Sequence, residues 1–380
     1  MNSETRNAPG SIRDAIVRVL SLHADPMPVR TIDAHVQSLV GPVPSSSIRS
    51  YLRLNTPQVF IREGRGLYRL NKNKEELPYQ LEADFEGSNS RNDFETFSFG
   101  ASQLVFGDCI DWLSQRPTAS LHAVVTDPPY GLVEYSESEQ EKLRNGKGGV
   151  WRIPPAFDGN QRSPLPRFTT LTESQLQHLY DFFLIWGREV VRALVPGANV
   201  LVASNPLVSF VVSNALREAG LERRGEIVRL ISTMRGGDRP KAAHDEFAEV
   251  SVMPRSMWEP WLVFRKPIEG RVQDNLRKWS TGGFRRPERD RPFGDVIKSS
   301  PARGKERQIG NHPSLKPQSF LREVVRAVLP LGEGIVLDPF AGSGSTLAAA
   351  EAVGYRSIGI EKDRDYFELA INAIAELVAL

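Results

Sequence analysis

One cysteine, Cys109, occurs in the 380 residues of this chain. An intrachain disulfide is excluded, and so is a metal site built from several thiolates. Long apolar runs are also missing. The most apolar stretch, Leu194 to Leu216, is broken by Pro196, Gly197, Asn199, Asn205, Pro206 and Asn214, whereas a membrane span needs about 20 predominantly apolar residues. No membrane partner is expected. Neither sign of charge dominates, with 48 Lys and Arg against 46 Asp and Glu, so net charge alone announces no polyanionic partner. The six histidines show no ligand spacing such as H-x-x-x-H, and no metal is expected. The opening MNSETRNAPG has no basic start leading into an apolar run, so no secretory leader is expected and the cytoplasm is the expected compartment. Hydrophobic residues at 40% and charged residues at 25% are ordinary for a globular chain. The length suits two domains rather than one.

The first domain is expected over residues 1–75. Ile12, Ile16, Val19 and Leu20 recur at helical spacing behind Ser11, and Ile32, Val36, Leu39 and Val40 do so from Thr31. Pro26 and Pro28 interrupt the two. Ser45, Ser46 and Ser47 offer caps for a third helix with Ile48, Tyr51, Leu52 and Leu54. Val59-Phe60-Ile61 and Leu67 to Leu70, joined across Gly64 and Gly66, read as a β-hairpin. Three helices and a hairpin follow the order of a winged helix-turn-helix. Arg49 and Arg53 on the third helix and Arg62 and Arg65 on the wing would suit phosphate contact. DNA binding is favoured over the alternative of a protein-interaction module of the same fold whose arginines are merely solvated.

Residues 76–98 are expected to be a linker. The stretch 71–96 holds three basic residues against seven acidic ones, and Gly87-Ser88-Asn89-Ser90 is a flexible signature. From 99 to 380, short apolar runs alternate with helical segments. Strands fit Leu121–Val125, Asn199–Ala203, Gly334–Leu337 and Arg356–Ile360. Helices fit Ser174–Leu194, Leu207–Glu218, Pro317–Leu329 and Ser345–Val353. Such alternation means an α/β domain with a mostly parallel, doubly wound sheet.

Two turns carry the chemistry. Asp338-Pro339-Phe340-Ala341-Gly342-Ser343-Gly344 follows a strand and opens a helix. Its glycines let the backbone turn tightly beside helical N–H groups. Glu361, at the end of the next strand, is placed to accept from ribose hydroxyls. No G-K-[ST] occurs, which argues against a phosphate loop, and Leu347 stands where a dinucleotide fingerprint wants a third small residue. S-adenosylmethionine lacks phosphate, and Asp338 would suit its amino group. The second turn, Asp127-Pro128-Pro129-Tyr130, follows a buried strand. Two prolines stiffen it and remove N–H donors, leaving Asp127 and the Pro128 carbonyl to accept from a planar amine while Tyr130 stacks on its ring.

Together these turns resemble those of the DNA amino-methyltransferases acting on adenine N6 or cytosine N4. The catalytic turn precedes the cofactor turn, as in the permuted β-class. The likeness covers about residues 100–380, although its strong motifs occupy little of that. It implies a Rossmann-like, S-adenosylmethionine-dependent fold with Asp127, Pro128, Pro129 and Tyr130 in catalysis. Phe340, Gly342, Gly344, Thr346 and Glu361 would hold the cofactor beside Asp338. Phe106-Gly107-Asp108-Cys109 is similar to the segment whose aspartate accepts the cofactor's adenine amine. Asn311-His312-Pro313-Ser314-Leu315-Lys316-Pro317 is similar to the one closing over its methionine end, where Lys316 would meet the carboxylate. The implied reaction is direct methyl transfer to a base flipped from duplex DNA.

Residues 265–310 contain thirteen basic and six acidic residues. The balanced total thus conceals a basic segment, expected to be a loop-rich target-recognition insert whose Arg285, Arg286, Arg289 and Arg291 contact DNA. Tyr135 to Phe168 and Met234 to Pro240 are polar or turn-forming segments without assignable chemistry. Adenine N6 is favoured because family members acting on cytosine N4 more often have serine at the position of Asp127. Cytosine N4 is the alternative, and a non-catalytic DNA-binding regulator is the alternative of another class. Methylation of protein glutamine or RNA is a third, disfavoured because the glutamine-directed relatives usually carry asparagine there. Association with the nucleoid is expected, while a homodimer and a partner restriction endonuclease are left open.

Overall fold

The computed structural model describes residues 11–71 except 22, 24, 55, 57 and 58, then 94–129, 172–235, 243–250 except 244, 256–309 except 301 and 303, and 315–380. Tyr130, the segment from Tyr135 to Phe168, and Asn311 to Ser314 lie outside the described residues.

The first unit comprises α1 (Ser11–Ser21), β1 (Met27–Pro28), α2 (Val29–Val40), α3 (Ser45–Leu54), β2 (Phe60–Gly64) and β3 (Leu67–Leu70). Its helices bury one stripe each, and Ile16, Leu20, Ile32, Val36, Ile48 and Leu52 meet Phe60 and Tyr68 in a core of their own. The two prolines do more than interrupt. Met27 and Pro28 pair antiparallel with Tyr68 and Leu67, and Pro28, with φ −63°, serves as the cap from which α2 starts at Val29. An X-Pro stretch favours extended backbone, which explains the short strand. Arg49, Arg53, Arg62 and Arg65 are all exposed.

The larger unit is built from β4 (Thr96–Phe99), β5 (Ser102–Phe106), α4 (Cys109–Ser114), β6 (Leu121–Thr126), α5 (Glu173–Ala193), β7 (Leu194–Ala203), α6 (Ser209–Glu218) and β8 (Glu222–Arg235). There follow β9 (Ser256–Arg265), α7 (Val272–Trp279), β10 (Val296–Lys298), α8 (Lys305–Ile309), α9 (Gln318–Val328), β11 (Ile335–Asp338), α10 (Ser345–Ala352), β12 (Arg356–Glu361) and α11 (Arg364–Val378). Nine strands form one sheet in the order β10-β8-β9-β7-β6-β11-β12-β5-β4. Neighbours from β5 to β7 run parallel, while β9 and β4 run against theirs. Both faces are covered, as near-continuous apolar strands require. Val124, Val200 and Val202 point into a core with α5 and α6. Their chain neighbours Ala123, Val125, Leu201 and Ala203 point into a second core with α9 and α10. Among the described residues no helix is long and apolar enough to cross a membrane.

Two boundaries differ from expectation. The linker ends earlier than residue 98, because Thr96–Phe99 pairs with β5 and Glu95 bonds Arg364 at 2.7 Å. Its acidic, unpatterned neighbourhood concealed a short edge strand whose register is set by β5. The segment 265–310 is not a separable insert either. It supplies α7 and also β10, which extends the sheet parallel to β8. Buried Asn275 ties α7 to the Pro196 carbonyl at 3.0 Å and the Thr281 carbonyl at 2.8 Å. Met234 and Arg235, expected in a turn, are strand residues of β8.

Candidate active site

Four carboxylates gather at the ends of parallel strands: Asp127 after β6, Asp338 closing β11, Glu361 closing β12 and Asp108 after β5. The carboxyl edge of such a sheet is where open α/β folds bind ligands. β6 and β11 are neighbours, so the two turns far apart in sequence meet. Thr126, next to Asp127, donates its hydroxyl to Asp338 Oδ1 at 2.7 Å.

Asp338 is buried, and the Phe340 N–H also reaches its Oδ1, at 3.2 Å. Burial raises its carboxyl from 3.8 to about 6; hydrogen bonds from Thr346, Thr126 and Phe340 work against that rise, and the Asp127 charge adds to it. The turn that follows has Gly342 at φ 51° and Gly344 at φ 74°. A Cβ on Gly344 would lie 2.5 Å from Ile374, so close packing on α11 joins backbone conformation in requiring glycine. Glu361 grips this turn: its Oε2 accepts from Gly342 N–H and its Oε1 from Asp363 N–H, both at 2.8 Å. Burial pushes its carboxyl up, with those backbone bonds opposing. Phe340 is half-buried against Phe182 and Trp186, and Thr346 is buried in the first turn of α10.

Asp108 has a local role beside any ligand role, since its Oδ1 accepts Ile110 N–H at 2.8 Å and caps α4. Burial pushes the neighbouring Cys109 thiol up to about 12, so it is no nucleophile near neutral pH. In the turn after Asp127, Pro128 is buried and Pro129 exposed.

Lys316, expected at a cofactor carboxylate, has Nζ 2.5 Å from Asp127 Oδ2 and 3.1 Å from Glu259 Oε1. Glu259 in turn accepts from Arg229 Nη1 at 2.7 Å, and Arg229 Nε donates to Ser299 Oγ at 3.1 Å. The result is a chain of alternating charge from the Asp127 turn into the sheet. Sequence reasoning missed Glu259 and Arg229. The available signal was a lone carboxylate in Trp258-Glu259-Pro260-Trp261-Leu262 and a lone guanidinium in Ile227-Val228-Arg229-Leu230-Ile231, because charges in buried strands need partners. Gln318 was missed as well. Its Nε2 donates to the Ser345 carbonyl at 2.8 Å, and its Oε1 is buried without a hydrogen-bond partner among the described residues.

Of the arginines expected on DNA, Arg285 must be withdrawn. It is buried and donates to Tyr355 Oη at 2.6 Å instead of lying on the surface. Charge counting could not separate it from exposed Arg286, Arg289 and Arg291.

The geometry is that of a nucleoside-binding α/β enzyme with an acceptor-rich second turn, and the chain belongs to the N6/N4 DNA methylase family, whose model matches residues 121–372. Among characterised relatives, the type II methyltransferase M.HindIII of Haemophilus influenzae is 23% identical over 295 residues, spanning 70% of this chain and 93% of its own. The type II methyltransferase M2.DpnII of Streptococcus pneumoniae is 24% identical over 271 residues, spanning 70% and 87%. Among solved structures, the cytosine-N4-specific PvuII DNA methyltransferase aligns over 73% of this chain and 92% of its own, with TM-score 0.46 and 14% identity. The M1.HpyAVI complex with S-adenosylmethionine aligns over 72% and 99%, with TM-score 0.41 and 18% identity.

Proposed function

We propose that this DNA methyltransferase transfers the methyl group of S-adenosylmethionine to adenine N6 of a nucleotide flipped out of double-stranded DNA. The observation that carries the reading is the meeting of Asp127 and Asp338 through Thr126, which sets an amine-accepting turn beside a cofactor turn. Aspartate rather than serine at 127 favours adenine over cytosine.

The donor set fits the cofactor. Glu361 suits ribose hydroxyls, since a carboxylate has roughly four acceptor positions and two backbone N–H groups occupy part of that capacity. Asp108 suits an adenine amine, Asp338 an ammonium, and the orphaned Gln318 Oε1 is a further acceptor near the turn. When bound, the cofactor supplies a sulfonium methyl open to in-line displacement. Asp127 and the Pro128 carbonyl accept the N–H groups of the target amine and stabilise the positive charge that develops on its nitrogen. Prolines at 128 and 129 offer no competing N–H. After transfer, Asp127 is the acceptor at hand for the departing proton. Tyr130 is assigned the stacking role on the flipped ring.

Exposed Arg286, Arg289 and Arg291, with Arg49 and Arg53 of an N-terminal winged helix-turn-helix, are the proposed phosphate contacts. The type II naming of the relatives fits work in the cytoplasm on nucleoid DNA beside a restriction endonuclease. The test is mass spectrometry of nucleosides from unmodified genomic DNA incubated with protein and S-adenosylmethionine. N6-methyladenine is expected; N4-methylcytosine alone overturns the choice of base, and no methylated base overturns the reading.

A further inference from the structure

Lys316 stands between two carboxylates, Asp127 Oδ2 at 2.5 Å and Glu259 Oε1 at 3.1 Å. An ammonium beside Asp127 is a difficulty for the reaction above, on which this inference rests. Positive charge develops on the target nitrogen, and a cation paired with Asp127 cancels much of the field that should stabilise it. The rest of the chain answers the difficulty. Glu259 also holds Lys316, at 3.1 Å, and Arg229 holds Glu259 at 2.7 Å. Because the charges alternate in order, the Glu259–Arg229 pair is a dipole with its negative end toward Lys316. It offsets part of the lysine's charge, so that Lys316 weakens the anionic field of Asp127 less than a lone ammonium would.

The pair is also rigid. Arg229 is 2% exposed and Glu259 7%. Ser299 Oγ takes Arg229 Nε at 3.1 Å, and the guanidinium lies 5.4 Å from the Phe320 ring centre. Glu259 and Arg229 face each other across β8 and β9, where Arg229 and Glu259 are register partners. Two strands of the sheet thus fix the anchor, while Lys316 reaches it from the segment before α9.

We propose that Glu259, held by Arg229, is a positioning residue for methyl transfer. Through Lys316 it sets the orientation of the Asp127 carboxylate and keeps that carboxylate effective as an anion toward the target amine. Lys316 has three N–H donors, so it can remain on Glu259 while the amine engages Asp127.

The experiment combines turnover with a readout that needs none. Tritiated-methyl transfer to unmodified genomic DNA gives kcat and KM, and calorimetry gives cofactor affinity. Glu259→Gln is expected to lower kcat on the order of a hundred-fold through misplacement of Asp127, with KM for DNA and cofactor affinity near parent values. Glu259→Asp, which keeps the charge and is the safer variant beside buried Arg229, should recover part of the loss. In a Lys316→Met background, Glu259→Gln should have almost no further effect, since coupled residues are non-additive. Parent-like kcat in both Glu259 variants, or independent losses in the double variant, would overturn the proposal. The ¹⁵N resonance of the Lys316 ammonium, identified by its absence in Lys316→Met, should be exchange-protected and should shift in Glu259→Asp. An unshifted resonance also overturns the proposal. A parent protein with the shift intact but no methyl transfer would instead overturn the reaction assigned to the site.

Discussion

Thr126 and Asp338 are joined by a 2.7 Å hydrogen bond across the β6–β11 boundary, both side chains buried. This bond brings the Asp127 turn and the glycine turn, distant in sequence, to one place. Register between the strands, Val336 opposite Ala123 and Leu337 opposite Val124, places the two turns at the same edge.

Asp127→Ala should lower methyl transfer on the order of a hundred- to a thousand-fold, the usual cost of losing a preorganised group that stabilises developing charge. Cofactor affinity should stay within a few-fold, because Asp338, Glu361 and the glycine turn are untouched. Asp127→Asn should also fail, since an amide keeps one acceptor but loses the charge. Tritiated-methyl incorporation beside calorimetric titration separates the two quantities, and parent-like turnover would remove Asp127 from catalysis.

Asp338 should make both stability and cofactor affinity depend on pH. Its carboxyl titrates at about 6 in the fold against 3.8 ordinarily. Between those values the folded protein retains a proton that the unfolded chain has released. This group's contribution to stability therefore falls as pH rises through that window and is flat above it. Thermal unfolding of parent and Asp338→Asn, followed from about pH 4 to about pH 7.5, should show the parent losing ground relative to the variant. Affinity for the cationic amino end of the cofactor should move the opposite way, rising toward neutrality in the parent and staying level in the variant. A level curve in the parent would mean that Asp338 does not meet that ammonium.

Neutralising Arg286, Arg289 and Arg291 together should flatten the salt dependence of DNA binding, by about 0.9 in the logarithmic slope for each phosphate left without its arginine. Thermal stability should hardly change, as all three are exposed. Arg285→Ala should do the reverse, lowering the melting temperature by removing the donor to buried Tyr355 Oη, which keeps only its own bond to the Arg326 carbonyl, while leaving the slope intact. Fluorescence titrations over a salt series, paired with melting curves, would show either pattern, and an unchanged slope in the triple variant would make that segment a solvated loop.

Deleting residues 1–75 should weaken DNA affinity and spare cofactor binding. That unit has its own core of Ile16, Leu20, Ile32, Val36, Ile48, Leu52 and Phe60, so its removal should not open the larger one. Calorimetry with S-adenosylmethionine reads the second quantity, and loss of cofactor binding would make the segment part of the catalytic core.

Local pattern was enough for much of this protein. Apolar runs bounded by turn residues marked β6, β7, β11 and β12. Helical spacing marked α5, α6, α9 and α10 to within a residue or two at most ends. The two chemical turns were legible because Pro and Gly restrict or free the backbone locally, whatever lies around them. What only the tertiary structure decided is pairing. β4 is a strand because β5 sets its register. Arg285 is buried and Arg286 exposed, although the two are chemically identical neighbours. Lys316 reaches Asp127, 189 positions away, and Glu259, partners that no local pattern announces. Charge in a sequence has sign but no depth, and a buried ion's role is set by the counter-ion that the fold brings within about 3 Å.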